Sequence, residues 1–276
     1  QLAGLTAAQI GSMTTTQVAA LTTTEIGALT VTQMAGLTST QVGALTTTQV
    51  GSLTTTEIGA LTVASLSGLS TTNIASISTT QLTGFTATQM AALTTTQFVA
   101  LTTTDIASMS VAQLGGVTTA QLNALSTTQF VSLTTTEVGA LSATQIRGLA
   151  TTQVNTLTTT QFGSLTSTGI GGLTSMQVEA LSTTLMGSLS TTQVSALSVT
   201  SLTGLTTTQV ATFSTTQVGG LTVAQIPSLS TTQIVAMTTT QISSMTSVQA
   251  QSFTNAQVNS LSTDQVVAWL AAQGVG

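Results

Sequence analysis

The sequence predicts an all-α solenoid built from short helices, one in each eight-residue repeat. Three observations lead to this fold class. An apolar residue recurs at every eighth position from Leu5 to Trp269, with no insertion or deletion. A hydroxyl residue follows it, and three residues later comes a glutamine or glutamate, which is the capping-box signature of a helix N-terminus. A repeat of this length cannot bury its apolar face alone, so neighbouring repeats must stack.

We label the positions of each octad a to h, with Leu5 at a; the consensus is Leu-Thr-Thr-Thr-Gln-Val-Gly-Ala. Position b is Thr or Ser in 32 of 33 octads, Ala150 being the exception, and e is Gln in 24 of them. Positions a and f are always apolar, and h is always Gly, Ala, Ser or Thr. We therefore expect a and f to line the core, h to lie where another backbone approaches closely, and g to face solvent.

The choice between helix and strand depends on the spacing of the apolar positions. Consecutive threonines favour strands, but a and f are five positions apart and would face opposite sides of an extended strand. In a helix they form the hydrophobic staple around the N-cap. A new N-cap in every octad predicts a short helix starting at each b and a bend near g, h and a, where glycine at g is suitable. A β-solenoid is the alternative fold.

Uncommon residues that recur at every 32nd position predict about four repeats in each superhelical turn. Phe98, Phe130 and Phe162 all lie at f and would form an aromatic ladder in the core. Arg147, the only basic residue, and Glu179 lie at g with the same separation. Duplication of a four-octad segment would copy residues, but it would not create a pair of opposite charges.

The predicted domain organisation is one continuous array over residues 1–268, with about 33 octads, and a C-terminal helix extension or cap over 269–276. Leu270 replaces the capping hydroxyl residue, so the last helix can continue to Gly274, a residue type that ends helices well. Pro227 lies at g, near a helix end, where proline is tolerable. Gln1 falls in mid-octad, as expected of a cut through a longer array.

The composition argues against most enzyme and nucleic-acid-binding classes. Only seven of the 276 residues are charged, and the chain has no His, Cys, Lys or Tyr. It therefore lacks a histidine base, a thiolate nucleophile, a Schiff-base lysine and a His/Cys metal cluster, and Arg147 alone cannot neutralise a run of phosphates. We predict a protein that is not an enzyme, with no catalytic, cofactor-binding or metal-binding residues, no cofactor, and neither a nucleic-acid nor a small-molecule partner.

Hydropathy argues for a folded chain outside the membrane. Hydrophobic residues make up 41% of the sequence, and the mean hydropathy is +0.49, whereas disordered chains combine low hydrophobicity with high net charge. No stretch approaches the roughly 20 apolar residues of a membrane-spanning helix.

The carboxylates Glu25, Glu57, Asp105 and Glu137 share position e. A catalytic pair is conceivable, but a carboxylate at e completes the capping box and suits the positive end of a helix. We therefore interpret all four as caps. The methionines other than Met176 lie at a or f, where they fill the core.

The motif Leu-Thr-Thr-Thr-Gln-Val, which recurs over essentially the whole chain, resembles the Thr/Gln-rich repeat regions of very large bacterial surface and secreted proteins described as adhesin-like. The resemblance implies an extracellular or cell-surface structural role and transfers no functional residue. The expected function is a rigid repeat spacer or a self-assembling filament subunit whose partner is another copy of the chain. An ice-binding solenoid with a threonine array is the alternative.

Overall fold

The computed structural model describes residues 2–274, and these residues form 32 α-helices, two short 3-10 segments and no strand. The helices have four to six residues except the last, which has eleven. The all-α prediction is confirmed, and the β-solenoid alternative is wrong for this part of the chain. In chain order, helices α1 to α32 are Ala7–Gly11, Thr15–Ala19, Thr23–Ile26, Val31–Met34, Ser39–Gly43, Thr47–Gly51, Thr55–Ala60, Val63–Leu66, Thr71–Ala75, Thr79–Leu82, Ala87–Ala92, Thr95–Phe98, Thr103–Ile106, Val111–Gly116, Thr119–Ala124, Thr127–Val131, Thr135–Ala140, Ala143–Gly148, Thr151–Thr156, Thr159–Gly163, Ser167–Gly171, Ser175–Ala180, Thr183–Gly187, Thr191–Ala196, Val199–Leu202, Thr207–Thr212, Thr215–Gly219, Thr231–Val235, Thr239–Ser243, Ser247–Gln251, Asn255–Ser260 and Thr263–Gln273.

A hydroxyl residue at b caps nearly every helix, which then begins at c. At α2 the Thr14 hydroxyl accepts a hydrogen bond from the backbone N–H of Gln17 at 3.2 Å, and the Gln17 side chain accepts one from the Thr14 N–H at 2.8 Å. This reciprocal capping box recurs along the array. Ala150 provides no side-chain cap, yet α19 still follows it. Packing therefore supports helices that would be too short to be stable alone.

An extended residue at a joins one helix to the next. Leu61, for example, has φ −60° and ψ 133°, and it leads directly into the extended N-cap residue at b. Gly274 is the one residue with positive φ in the described chain, so the bend between helices does not depend on the conformational freedom of a glycine at g. The a and f side chains are buried almost throughout, as predicted.

The chain divides between Glu137 and Val138 into two units, and the same packing rule holds within each. Helices three octads apart lie against each other: α4 on α7 and α5 on α8 in the first unit, α22 on α25 and α23 on α26 in the second. This stacking makes each unit a solenoid of helical repeats.

The predicted turn of four octads is too long. Gly36 lies against Ala7, 29 positions earlier, and Gly43 lies against Gly68, 25 positions later. One turn therefore contains between three and four octads. Recurrence at every 32nd position reflects similarity between repeats, whereas the stacking register depends on where one backbone passes over another.

The residue pairs that suggested the longer turn do not interact as expected. Within the described residues Arg147 and Glu179 form no ion pair, and Arg147 instead lines a groove with Thr174, which lies 27 positions later. In the first unit Phe98 and Phe130 are both fully buried, but their rings do not pair.

Position h lies where another backbone approaches closely, as predicted. A Cβ atom added to Gly116 would overlap the carbonyl oxygen of Ala87 in the adjacent turn, so no side chain fits there without a shift of the backbone. A Cβ atom added to Gly115, at position g of the same helix, would have no neighbour within 4 Å. The two adjacent glycines therefore differ completely in their packing.

Pro227 is accommodated, but its octad is not α-helical. Residues Ile226–Ser228 form a 3-10 segment, because proline has no N–H to donate to the carbonyl four residues earlier. The hydrogen bonds between Thr222 and Gln225 that begin the octad persist.

The last helix, α32, runs from Thr263 to Gln273 and ends at Gly274, whose φ is 77°. It packs on α29 and α30. The Trp269 indole N–H donates to the carbonyl oxygen of Ala250 at 2.7 Å, and its ring lies 6.4 Å from that of Phe253. The predicted division into an array over 1–268 and a helix extension or cap over 269–276 stays a prediction; Gln1, Val275 and Gly276 lie outside the described residues.

Candidate functional site

Within each unit, the glutamine at e joins one turn to the preceding turn. The side chain of Gln121 is 1% exposed. Its Oε1 accepts a hydrogen bond from the backbone N–H of Thr118 at 2.7 Å. Its Nε2 donates to the carbonyl oxygens of Met90 at 2.8 Å and Leu93 at 2.7 Å. One side chain thus caps its own helix and satisfies backbone acceptors of another turn.

This arrangement repeats as a ladder of amide groups, which we call the amide ladder. Each of its side chains donates to the carbonyl 28 positions earlier and to at least one that lies 30 or 31 positions earlier. The amide ladder consists of Gln33, Gln41, Gln49, Gln81, Gln89, Gln97, Gln113, Gln121 and Gln129 in the first unit, and of Gln177, Gln193, Gln209, Gln217, Gln225, Gln233, Gln241, Gln249, Gln257 and Gln265 in the second.

The amide ladder explains why glutamine is far commoner than glutamate at e, which capping alone does not. Either residue can accept the hydrogen bond of a capping box, but only the amide has N–H groups to donate to the preceding turn. A buried acceptor left without a donor costs about 1–3 kcal/mol. The composition of e contained this signal, and the sequence interpretation overlooked it.

The carboxylates at e are held as caps, as predicted. The described residues contain no group of three or more acids that could hold a metal ion. Glu57 and Glu137 are 5% and 2% exposed, and each uses Oε2 to accept hydrogen bonds from the N–H and hydroxyl of its N-cap threonine at 2.6 and 2.7 Å. Their Oε1 atoms are buried without a partner. At positions 57 and 137 the side chain therefore presents a second acceptor oxygen where a glutamine would present an N–H donor.

Two carboxylates at e have pKa values displaced in opposite directions. The backbone N–H and hydroxyl of Thr22 hydrogen-bond to exposed Glu25 and lower the pKa of that carboxyl. Burial raises the pKa of Glu137, and this effect outweighs the hydrogen bonds from Thr134. The same capping geometry is therefore accompanied by a lowered pKa at exposed Glu25 and by a raised pKa at buried Glu137.

A groove on the surface of the second unit surrounds Arg147, the only cationic side chain in the sequence. It measures about 380 Å³, and Arg147 shares its walls with hydroxyl residues that include Thr174, Ser175 and Ser198. Arg147 is exposed. Among the residues that line this groove there is no acid or base that could act in catalysis.

A second signal that the sequence interpretation overlooked concerns positions c and h. Several glycines at h face the residue 29 positions earlier, at c: Gly36, Gly68, Gly84, Gly116, Gly172, Gly204 and Gly220. Most of the residues that they face are alanine or serine rather than the commoner threonine, namely Ala7, Ser39, Ala87, Ala143 and Ser175, whereas Thr55 and Thr191 keep threonine. Small residues therefore tend to occur in pairs across a close approach, and their spacing indicates a turn shorter than four octads.

Comparison with known families agrees with this octad architecture. The model of the ALTTAQ repeat matches residues 1–31, 23–55, 98–135, 136–167 and 215–247, which together make up more than half of the chain. The chain belongs to the ALTTAQ repeat family. Membership of this family makes it a repeat protein, in agreement with the stacked helices. No curated protein matches the chain, and an origin in giant adhesin-like proteins of bacteria stays a prediction.

No helix of the described residues is both long and apolar enough to cross a membrane.

Proposed function

We propose that the chain is a structural module without enzymatic activity, which acts as a rigid spacer or as a self-assembling subunit at a bacterial surface or in an extracellular matrix. The observation that carries this proposal is the amide ladder. It ties successive turns together by buried hydrogen bonds, in addition to the apolar core. Buried and satisfied polar networks rigidify a fold.

The surface also supports a structural role. The c and d positions carry mostly exposed threonines, and the few charges are scattered. A nearly neutral, repetitive surface favours association between copies, because low net repulsion promotes contact. The extracellular location rests on the resemblance to secreted repeat regions and is part of the proposal.

Rigidity can be tested inside one unit by measuring the distance between two spin labels. The chain contains no cysteine, so Thr16→Cys and Thr128→Cys, both at exposed positions of the first unit, would carry the only labels. We expect one narrow distance distribution, which broadens only on addition of denaturant. A broad distribution under native conditions would contradict the spacer proposal.

Self-association is tested separately by analytical sedimentation over a range of protein concentrations. We expect filaments or polydisperse oligomers. A single species at the monomer mass of 27.6 kDa, even at high concentration, would refute the filament form of the proposal while leaving the spacer form intact.

A second candidate function, ice binding, is favoured by one feature of the second unit. Pairs of exposed threonines begin four helices that pack in sequence, α20, α23, α26 and α28. These threonine pairs form a row, and the distance between neighbouring pairs is set by the packing of the helices, whose axes lie about 8–10 Å apart. Inhibition of ice recrystallisation at low protein concentration, lost when the threonines at c and d of these helices are replaced by lysine, would support this function over the structural one.

A further inference from the structure

Three consecutive octads, residues 53–76, interrupt the amide ladder over most of one turn of the first unit. Position e holds Glu57, Ser65 and Asn73 there instead of glutamine. Their helices α7, α8 and α9 pack on α4, α5 and α6 respectively. The interruption therefore extends along the whole contact between octads 29–52 and octads 53–76, which we call the seam.

The seam has far fewer hydrogen bonds between turns than the interfaces on either side of it. In the preceding turn, Gln33, Gln41 and Gln49 donate seven such bonds. In the following turn, Gln81, Gln89 and Gln97 also donate seven. Across the seam there is one, from Asn73 Nδ2 to the carbonyl oxygen of Leu45 at 3.1 Å.

None of the three residues donates to the preceding turn as fully as a glutamine does, and the reason differs at each position. Glu57 has only oxygen atoms, and its Oε1 is buried without a partner. Ser65 is too short to cross, and its hydroxyl donates to the carbonyl oxygen of Thr62 at 2.9 Å. Asn73 reaches one carbonyl but not a second, and its side chain does not complete the capping box of its own helix.

The apolar core and a close backbone approach still hold the seam closed in the native state. Leu61 and Leu69 are 3% and 4% exposed, and a Cβ atom added to Gly68 would overlap the carbonyl oxygen of Ser39. The seam therefore differs from its neighbours in buried hydrogen bonding and not in core packing. In the second unit, octads 165–188 also lack glutamine at two e positions, which hold Gly169 and Leu185. Gln177 lies between them and still donates two hydrogen bonds to the preceding turn.

We propose that the seam is a built-in joint at which the first unit opens first. Turns of a solenoid separate when the contacts between neighbours are lost, and each short helix is unstable once it is detached. Opening should therefore begin where the fewest hydrogen bonds have to be broken. Octads 29–52 and octads 53–76 can then separate locally while the rest of the first unit stays folded.

Native-state hydrogen exchange measured by mass spectrometry tests this joint. In the intact chain, backbone amides in residues 53–76 should exchange about tenfold or more faster, after correction for intrinsic rates, than those in residues 77–100. The repaired variant Glu57→Gln with Asn73→Gln keeps Ser65, which lies beside the close approach at Gly68. It should slow exchange in 53–76 and leave 77–100 unchanged.

A reciprocal variant provides the matched control. Gln81→Glu with Gln97→Asn removes donors from the next interface but keeps Gln89, and it should raise exchange in residues 77–100 towards the level of the seam. Equal exchange in the two segments of the intact chain would overturn the proposal. So would a repaired variant that folds normally but exchanges at the unaltered rate in 53–76.

Discussion

Replacing Gln121 with glutamate separates the two functions that the structure gives to glutamine at e. The carboxylate of Gln121→Glu can still accept hydrogen bonds from Thr118, so the cap of α15 survives. The donor to the preceding turn is lost. The carbonyl of Met90 keeps a backbone bond from Leu93 N–H at 3.3 Å, but the carbonyl of Leu93 loses its side-chain donor at 2.7 Å.

The magnitude follows from the number of buried atoms left without a partner. The carbonyl oxygen of Leu93 and the new glutamate oxygen each become unsatisfied acceptors, at about 1–3 kcal/mol apiece. We therefore expect Gln121→Glu to lower the free energy of unfolding by about 2–6 kcal/mol at neutral pH. At acid pH the protonated carboxyl can donate one hydrogen bond, so the loss should become smaller.

Gln17→Glu is the matched control. Gln17 is exposed, and its side chain caps α2 without joining two turns. A carboxylate near a helix N-terminus is favourable by about 0.3–1 kcal/mol, so this variant should be neutral or slightly stabilised. Urea denaturation followed by helical circular dichroism compares the two, with hydrogen exchange around residues 90–93 and 118–124 as the local measure. Equal effects of the two substitutions at neutral pH would refute a donor role for the amide ladder.

Four further substitutions test other parts of the structure by thermal unfolding. Gly116→Ala should destabilise the fold by about 1–3 kcal/mol or more, because its Cβ would meet the carbonyl of Ala87. Gly115→Ala in the same helix should stabilise the fold by about 0.5–1 kcal/mol. The opposite order of stabilities would show that no backbone passes close to position h. Ala150→Ser should add the missing cap of α19 and stabilise by about 0.5–2 kcal/mol, and no gain would mean that packing alone fixes this helix. Burial raises the pKa of Glu137, so the stability that the protonated carboxyl contributes is present below the unfolded pKa and is lost as pH rises through the folded pKa. The melting temperature of Glu137→Gln should therefore exceed that of the unaltered chain by an amount that grows with pH. A constant difference between the two melting temperatures would contradict this reasoning.

The local structure could be predicted from the sequence because its causes lie inside one octad. The N-cap at b, the reciprocal residue at e and the apolar residues at a and f are at most five positions apart. They fix where each helix begins and which side chains enter the core.

The register between turns was predicted wrongly because it depends on contacts between residues 25–31 positions apart. The recurrence of phenylalanine at f and the charge pair at Arg147 and Glu179 suggested a turn of four octads, yet the rings of Phe98 and Phe130 do not pair and Arg147 forms no ion pair with Glu179 within the described residues. The tendency of small residues to pair between c and h is more informative, because it reflects a steric limit on how closely two backbones pass. The donor role of glutamine became evident only when the acceptors of the preceding turn were placed beside it.

The donor role of the amide ladder is tested most directly by the exchange of glutamine side-chain amide protons with solvent, followed by NMR on a sample labelled with ¹⁵N-glutamine. We expect two classes of amide. Those of the ladder, such as Gln41 and Gln121, should be protected because their protons are donated to buried carbonyls, whereas those of exposed Gln9 and Gln17 should exchange as in a free peptide. Uniformly fast exchange of all glutamine amides would contradict the claim that the amide ladder joins the turns.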